Sequence, residues 1–188
     1  MRYIEKTNTC FIFENWKITN PATNWSQFND SVVKLALHQH LWQEQKGLCI
    51  YCQQSVPQKV RVNAGSVLHP SHLEHIRPKD NHLPYTHLTF DHSNLSVSCD
   101  GFDVNDTRKS PDFCGHKKEN IFDDALFLHP FEIANIESFF QYDLNGHIKP
   151  NTSKSSIEQN RAQYSIDLLN LKDPILNQMR EDNYNIIL

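Results

Sequence analysis

Cysteine and histidine are concentrated in the middle third of this chain, and that stretch constrains the fold more than any other feature. Four of the five cysteines fall between Cys49 and Cys114, and eight of the eleven histidines fall between His69 and His129. Proline and glycine interrupt the same stretch, which leaves little continuous apolar sequence to bury. A small loop-rich region of this kind needs a cross-link, and a structural metal ion supplies one. The stretch therefore predicts a metal-binding protein.

The size and composition of the chain indicate one folded domain. Its 188 residues are 38% hydrophobic and 11% aromatic, which is enough to form a core and excludes extensive disorder. The sequence contains no apolar run of the roughly 20 residues that a spanning helix needs, and its N-terminus lacks a basic-then-apolar leader. We therefore expect a cytoplasmic protein without membrane contact, in which the five thiols stay reduced.

The charge of the chain argues against nonspecific coating of nucleic acid. Lys and Arg total 18 and Asp and Glu total 22, which gives a net charge of −4. Residues 1–119 hold 13 basic and 12 acidic residues, whereas residues 120–188 hold 5 and 10, so the two parts carry +1 and −5. Any contact with phosphate is therefore expected from a local patch in the first part of the chain.

The pattern of apolar residues divides the chain into three segments. Residues 1–24 are polar with scattered aromatic side chains and predict an extended N-terminal arm that is available for contact with a partner. Residues 25–120 predict a long helix followed by the metal-binding region. Residues 121–188 predict a hairpin and C-terminal helices that elaborate the same domain.

Capping residues and turn signals locate the predicted elements. Apolar residues recur at helical spacing over residues 24–45, with Asn24 as N-cap and Gly47 as terminator. Strands are predicted at Leu73–Ile76 and Leu95–Ser98, a hairpin at Phe139–Tyr142 and His147–Lys149, and helices that begin at Ser155 or Ser156 and at Pro174.

The segment Cys49-Ile50-Tyr51-Cys52 is the first motif with chemical meaning. Two thiolates separated by two residues can reach one tetrahedral ion on a tight turn, with Zn–S distances of about 2.3 Å. A redox pair is disfavoured because this motif follows a helix instead of leading into one. Cys99 and Cys114 would complete a four-cysteine zinc site, although two small buried hydrophobic residues are the alternative. Cys10 lies far away and is interpreted as a spare thiol.

The adjacent residues Glu74 and His75 form the second motif. On a strand they point to opposite faces unless the chain bends there or the two residues end the strand. A carboxylate can hold a hard cation while an imidazole accepts a proton from water. A histidine alone would more often be a surface residue, but Asn94 follows 19 residues later, directly before a predicted strand, and Cys114-Gly115-His116-Lys117-Lys118 comes next.

The order of these motifs resembles the HNH endonuclease family. The shared pattern is CxxC, Glu-His-Ile-x-Pro, Asn-Leu before a strand that ends in Cys, and Cys-x-His-x-Lys. The resemblance implies an α+β fold with a ββα-metal core, in which two short strands and a helix surround one catalytic cation. It also implies a four-cysteine zinc site, as in the zinc-bearing members of the family. The predicted fold adds the long helix before this core and the hairpin and C-terminal helices after it.

Further segments are similar to the PtuB subfamily of Septu anti-phage systems, which also occurs beside retrons. These segments are Met1-Arg2-Tyr3-Ile4, the Trp-containing helix before the CxxC motif, and the late Leu-Leu-Asn-Leu. The similarity implies a partner like PtuA, an ATPase that resembles ABC and SMC proteins.

The family resemblance implies roles for individual residues. His75 is the expected general base, and Asn94 is expected to orient it by hydrogen bonding to its backbone. Glu74 and His116 are expected to hold Mg²⁺ or a similar divalent cation. Structural Zn²⁺ would be held by Cys49, Cys52, Cys99 and Cys114. Candidates for phosphate contacts are Arg77, Lys79, Lys117 and Lys118, for which solvated surface charge is an equal alternative.

The chain departs from the family pattern in three respects. Many members carry Asp where this chain has Glu74, which is longer by one methylene. The stretch from Asp100 to Phe113 is longer than a common HNH knuckle, which bears on the pairing of Cys99 with Cys114. The pattern assigns no role to His72, His82, His87 and His92, any of which can replace Glu74 or a cysteine as a ligand, although exposed loop histidines are the simpler interpretation.

The sequence leaves more than one function open. The prediction is a metal-dependent endonuclease in anti-phage defence, with DNA as the default substrate and RNA, such as tRNA, as the alternative in a retron-type system. A non-catalytic zinc-binding module that contacts nucleic acid or protein is the alternative of another class. A thiol enzyme that uses Cys49 and Cys52 ranks last.

Overall fold

The structure, a computed structural model, describes residues 1–58, 71–80, 82–100 and 113–187, and it has the mixed α+β architecture that the sequence predicts. The helices of these ranges are α1 (Phe11–Thr19), α2 (Ser31–Glu44), α3 (Cys114–Lys118), α4 (Ser156–Leu168) and α5 (Pro174–Ile187). The strands are β1 (Ser71–His75), β2 (Leu95–Cys99), β3 (Phe140–Tyr142) and β4 (Ile148–Pro150). They form two antiparallel pairs, β1 with β2 and β3 with β4.

The pair of β1 and β2 carries the second motif and lies close to the strands predicted from the sequence. Its register places His75 opposite Leu95 and Glu74 opposite Ser96. Because side chains alternate along a strand, His72 and Glu74 share one face. His75 is the last residue of β1, the case in which two adjacent side chains need not point to opposite faces.

The N-terminal residues are packed against the rest of the molecule. The extended conformation predicted for residues 1–24 is wrong between Phe11 and Thr19, which form α1. Phe13 and Trp16 of this helix are buried and contact Phe28 and Phe90 in an aromatic cluster. Tertiary burial of these rings therefore stabilises a helix that the local pattern does not reveal. The division of the chain into 1–24, 25–120 and 121–188 stays a prediction.

The helix predicted over residues 24–45 is interrupted near its start. Asn24 caps only the short 3-10 turn Trp25–Gln27. The cap of α2 is Asp30, whose carboxylate accepts hydrogen bonds from the backbone N–H of Val32 at 2.9 Å and of Val33 at 3.0 Å. This charged cap satisfies two of the free N–H groups at the start of a helix, which explains why α2 begins there.

The predicted end of this helix at Gly47 is confirmed. Gly47 has a φ of +72°, and a Cβ atom at this position would lie 2.9 Å from the Trp42 ring. The neighbouring Gln45 is buried and pairs with both backbone groups of Val97, accepting from its N–H at 2.7 Å and donating to its carbonyl at 2.8 Å. The end of α2 is thereby joined to the middle of β2.

The C-terminal residues form the predicted hairpin and helices and support the middle of the chain. Ser155 caps α4 in a capping box with Glu158, and α5 is a 14-residue helix that begins at Pro174. The backbone N–H of Cys114 donates to the carbonyl of Leu169 at 2.9 Å, so the residue that follows α4 holds the start of α3. Among the described residues, no helix is both long and apolar enough to cross a membrane.

Candidate functional site

Four cysteines meet in one buried cluster. The Sγ atoms of Cys49 and Cys114 are 3.8 Å apart, and those of Cys52 and Cys99 are 3.7 Å apart. All four are free thiols and buried. Bonds of about 2.3 Å from four sulfurs to a tetrahedral zinc ion imply S–S separations of about 3.8 Å. The cluster therefore has the dimensions of a four-thiolate metal site and can hold zinc.

Three separate elements bring these cysteines together. Cys49 and Cys52 lie on the turn after α2, Cys99 ends β2 and Cys114 begins α3. Cys114 has a φ of +62°, a strained conformation for a residue with a side chain. Burial, followed by contact with Cys49, raises the pKa of the Cys114 thiol well above its usual value. A metal ion would replace the thiol protons and favour the thiolate at this buried position.

His75, at the end of β1, is held in one orientation. Its ring is buried, and Nε2 lies 3.0 Å from the carbonyl oxygen of Thr89. A carbonyl only accepts, so Nε2 carries the proton and Nδ1 carries the lone pair. Nδ1 is buried without a hydrogen-bond partner among the described residues. Burial, together with the charge of Lys79, lowers the pKa of His75 to about 4, which keeps the ring neutral near pH 7.

The side chain of Asn94 holds two backbone segments, the one that follows His75 and the one that precedes its hydrogen-bond acceptor Thr89. Its side-chain oxygen accepts from the N–H of Arg77 at 2.8 Å, and its Nδ2 donates to the carbonyls of Arg77 at 3.0 Å and Leu88 at 3.3 Å. Arg77 follows His75 by two residues, and Leu88 precedes Thr89. The amide thus ties the end of β1 to the turn that accepts from His75, instead of bonding to the backbone of His75 itself.

Glu74 is a buried carboxylate with its two oxygens in different surroundings. Oε1 accepts a hydrogen bond from the hydroxyl of Tyr51 at 2.8 Å and lies 3.2 Å from Nζ of Lys118. Oε2 lies 3.5 Å from Nε2 of His72. Burial alone would raise the pKa of Glu74, but the ammonium of Lys118 and the contact with His72 hold it at about 2. Glu74 is therefore ionised, and only Oε2 is left facing the neighbouring cluster.

A second group of potential ligands consists of His72, Asp100 and His116, whose ligand atoms lie within 4.8 Å of one another. Asp100 Oδ1 is 2.8 Å from Nδ1 of His72 and 3.5 Å from Nε2 of His116. Burial alone would lower the pKa of His72, but hydrogen bonds with Asp100 and Glu74 raise it to about 9. The carboxylates of Asp100 and Glu74 thus favour positive charge beside His72, and such a place suits a bound cation.

Gly115 provides the space between these groups. A Cβ atom at this position would lie 2.7 Å from Oε2 of Glu74 and 2.9 Å from Nε2 of His72. Real Cβ atoms do not approach that closely, so a larger residue would displace both side chains. Gly115 therefore lies directly against Glu74 and His72, and a side chain at this position would have to shift them.

The four basic residues predicted to contact phosphate differ in their surroundings. Lys118 is 1% exposed and faces Glu74, so its ammonium does not lie on the surface. The guanidinium of Arg77 is paired with Asp124 and Glu132, each at 2.8 Å. Lys79 and Lys117 are exposed. The arrangement thus leaves these two lysines as the surface cations of the predicted set.

Sequence reasoning missed several residues of the site. The His72-x-Glu74 spacing was a usable signal, because residues two apart on a strand share a face. Asp100 follows Cys99 directly and gave no pattern of its own. Tyr51 lies inside the CxxC motif, and only tertiary packing shows that its hydroxyl reaches Glu74. Of the histidines without an expected role, His72 and His92 belong to potential ligand groups, and His87 is exposed.

Together, the strand pair with Glu74-His75, the helix with His116 and the four-cysteine cluster define an α+β protein with a cluster that can hold a metal ion and a candidate catalytic site. The chain is similar to a protein of Vibrio cholerae serotype O1 biovar El Tor, "Retron Vc95 putative HNH endonuclease". The two are 33% identical over 149 residues, which cover 79% of this chain and 63% of that protein. The chain therefore spans less than two thirds of the relative's length.

The relative's name points to the HNH endonuclease family, the family that the order of the motifs in this chain resembles. In a comparison with models of known protein families, none matches the chain.

Proposed function

We propose that this chain is an HNH endonuclease that hydrolyses phosphodiester bonds of nucleic acid as an effector of anti-phage defence. The observation that carries the proposal is His75, a buried imidazole with a fixed tautomer. Among the described residues its Nδ1 has no hydrogen-bond partner, and the residue before it is the ionised Glu74. Such a group has the geometry of a general base, since its free nitrogen can accept only a proton from a molecule that enters the site. The similarity to a protein named as a retron HNH endonuclease also supports the proposal of a nuclease.

In the proposed reaction, Nδ1 of His75 takes a proton from water as the water oxygen attacks phosphorus. The Nε2–H bond to the Thr89 carbonyl stays in place and stabilises the imidazolium that forms. Asn94 acts as a positioning residue, since it fixes the backbone near His75 and near Thr89. The 3′-oxygen leaves as the P–O bond breaks.

Trp25 marks the side from which substrate would approach. Its indole lies edge-on to the His75 ring, with ring centroids 4.4 Å apart. Trp25 also lines an open depression of about 480 Å³ together with Asn24, Ser26, Lys79, Asp80, His82 and Asn120. Lys79 is exposed here, and its charge is felt by His75, so a phosphate bound in the depression would lie near the base.

The donor set for a catalytic cation is His72, Asp100 and His116, with Oε2 of Glu74 next to His72. A bound cation would neutralise charge on the phosphate and on the leaving oxygen. Two imidazoles suit a transition-metal ion better than Mg²⁺, which prefers oxygen ligands. This set adds His72 and Asp100 to the ligands Glu74 and His116 that the family resemblance implies.

The finer assignments rest on the sequence resemblance. We propose Zn²⁺ for the four-cysteine cluster, DNA as the substrate with RNA as the alternative, and a cytoplasmic location. The proposed partner is an ABC- or SMC-type ATPase like PtuA. Residues 1–24 are the proposed contact, where Phe11 and Ile18 of α1 are 75% and 80% exposed.

The test uses the purified full chain, alone and with an ATPase encoded beside it, incubated with plasmid DNA or total RNA. Mn²⁺, Mg²⁺ or EDTA is added to separate samples. We expect cation-dependent cleavage, and we expect His75→Ala to lower its rate at least about 100-fold because the proton acceptor is lost. Zinc content and circular dichroism should stay at wild-type values, because the ring supports neither the cysteine cluster nor a helix.

The matched control is His87→Ala, which removes an exposed histidine and should cleave normally. Cleavage by His75→Ala at the wild-type rate would contradict the catalytic assignment. If the wild-type chain binds DNA or RNA but cleaves neither with any cation or partner, the chain is the non-catalytic module. DNA and RNA arms separate the two substrate classes.

A further inference from the structure

A third group of potential ligands lies away from both the cysteine cluster and the candidate active site. It consists of His40 and Glu44 on α2 and His92 in the turn before β2, with ligand atoms within 4.8 Å of one another. His40 and Glu44 are four residues apart on a helix and so occupy the same face. No feature of the proposed nuclease reaction uses these three side chains.

Two atoms of this group are buried without a hydrogen bond among the described residues. They are Oε1 of Glu44 and Nε2 of His92. The two atoms lie 3.3 Å apart, and their side chains are 7% and 9% exposed. A buried polar group without a hydrogen bond destabilises the fold. A cation between them would satisfy both atoms at once.

The third residue of the group, His40, has a ring tautomer that leaves one nitrogen free to bind a metal ion. Nε2 of His40 lies 2.7 Å from the carbonyl oxygen of Asn8. Because the carbonyl only accepts, Nε2 carries the proton and Nδ1 carries the lone pair. Metal-bound histidines commonly donate their second ring N–H to a backbone carbonyl in this way, which fixes the ring and raises its basicity.

The ammonium of Lys6 limits which cations this group of side chains can bind. Lys6 Nζ lies 2.7 Å from Oε2 of Glu44 and 2.6 Å from the carbonyl oxygen of Leu95. Lysine therefore occupies one carboxylate oxygen and leaves the other, Oε1, for a ligand. With two imidazoles and a single available carboxylate oxygen, the group suits Zn²⁺ and is too poor in oxygen for Mg²⁺ or Ca²⁺.

We propose that His40, Glu44 and His92 form a second zinc site, separate from the four-cysteine cluster, with water in the fourth position. The ion would fasten α2 to the turn that carries His92. Asn94 lies two residues beyond His92, so the site would also stabilise the turn that positions His75.

The test measures zinc per chain by mass spectrometry after the full protein is equilibrated with Zn²⁺ and desalted. His72→Ala/His116→Ala serves as the background, because it removes the other histidine-containing group. In this background we expect about two zinc ions per chain, and about one after addition of His40→Ala or His92→Ala. The matched control His87→Ala should keep both ions.

Thermal unfolding provides a readout that does not depend on cleavage. Zinc should raise the melting temperature of the background protein more than that of the same protein with His40→Ala. The His40 side chain is only half-buried, so this variant should fold even if His92→Ala does not. Equal zinc content and an equal thermal response with and without His40 would overturn the proposal and leave a metal-free ion-pair network.

Discussion

Glu74 is ionised in the interior because Lys118 and Tyr51 both contact its Oε1 atom. Lys118 is itself 1% exposed, so carboxylate and ammonium compensate each other's burial. The pair therefore holds Oε2 in place beside His72. A residue that the sequence marks as a phosphate contact instead positions a carboxylate of the candidate cation site.

Replacement of Lys118 by methionine should test this role. Lys118→Met leaves the Glu74 carboxylate buried without its ammonium partner, and we expect a loss of about 3–5 kcal/mol in the free energy of unfolding. The matched variant Lys117→Met removes an exposed neighbour and should change stability by less than about 0.5 kcal/mol. Urea unfolding of both proteins makes the comparison, and equal stabilities would contradict the buried pair.

Gly115 offers a second test at the residue scale. Gly115→Ala places a methyl group 2.7 Å from Oε2 of Glu74, and we expect about 1–3 kcal/mol of destabilisation from overpacking. The displaced His72 and Glu74 should also weaken the cation site. Calorimetric titration with Mn²⁺ measures this effect, and unchanged affinity together with unchanged stability would show that the site has more room than the structure indicates.

At the scale of elements, the cysteine cluster joins the turn after α2 to β2 and α3. The helix α3 has only five residues, and its first residue, Cys114, has a positive φ. A metal ion at the cluster would offset this strain and hold α3, which carries His116, against β2. The two metal groups of this region are therefore structurally linked although they use different donors.

Cys49→Ser should consequently lose the structural metal ion. We expect zinc content to fall by about one ion per chain and the melting temperature to fall, because metal binding and folding are coupled. Cys10→Ser is the matched control, since Cys10 is also buried but lies outside the cluster. Wild-type zinc content in Cys49→Ser would refute the four-cysteine assignment.

At the scale of the whole molecule, buried residues of the N-terminal, middle and C-terminal segments belong to one hydrophobic core. Phe13 of α1, Val97 of β2 and Ile166 of α4 are each fully buried within it. The N-terminal and C-terminal elements therefore support the site region through shared packing. The charge is less evenly distributed. Residues 1–119 carry a net charge of +1 and residues 120–188 carry −5, which together give the net −4 of the chain.

This charge balance predicts weak binding to nucleic acid by the chain alone. At about 0.15 M salt we expect a Kd for random duplex DNA of about 1 µM or weaker, because few phosphates can be neutralised. The proposed ATPase partner should tighten binding. Fluorescence anisotropy with and without the partner measures both values, and nanomolar affinity of the isolated chain would show that it finds its substrate unaided.

Features that depend on local spacing could be predicted from the sequence without knowledge of the fold. The CxxC motif, the two strands around Glu74-His75 and Asn94, the hairpin and the Ser155 cap each follow from short-range preferences, and the structure contains these elements. The cysteine set could be predicted because a CxxC pair and two further cysteines match the ligand pattern of a four-thiolate metal site.

Features that depend on contacts between distant residues could be seen only in the tertiary structure. Burial of Phe13 and Trp16 made α1 a helix, and packing turned Lys118 from a surface charge into the partner of Glu74. His72 and Asp100 became neighbours of His116 only when β1, β2 and α3 came together. The physical reason is that burial and charge pairing are properties of the assembled interior, which no local pattern of residues contains.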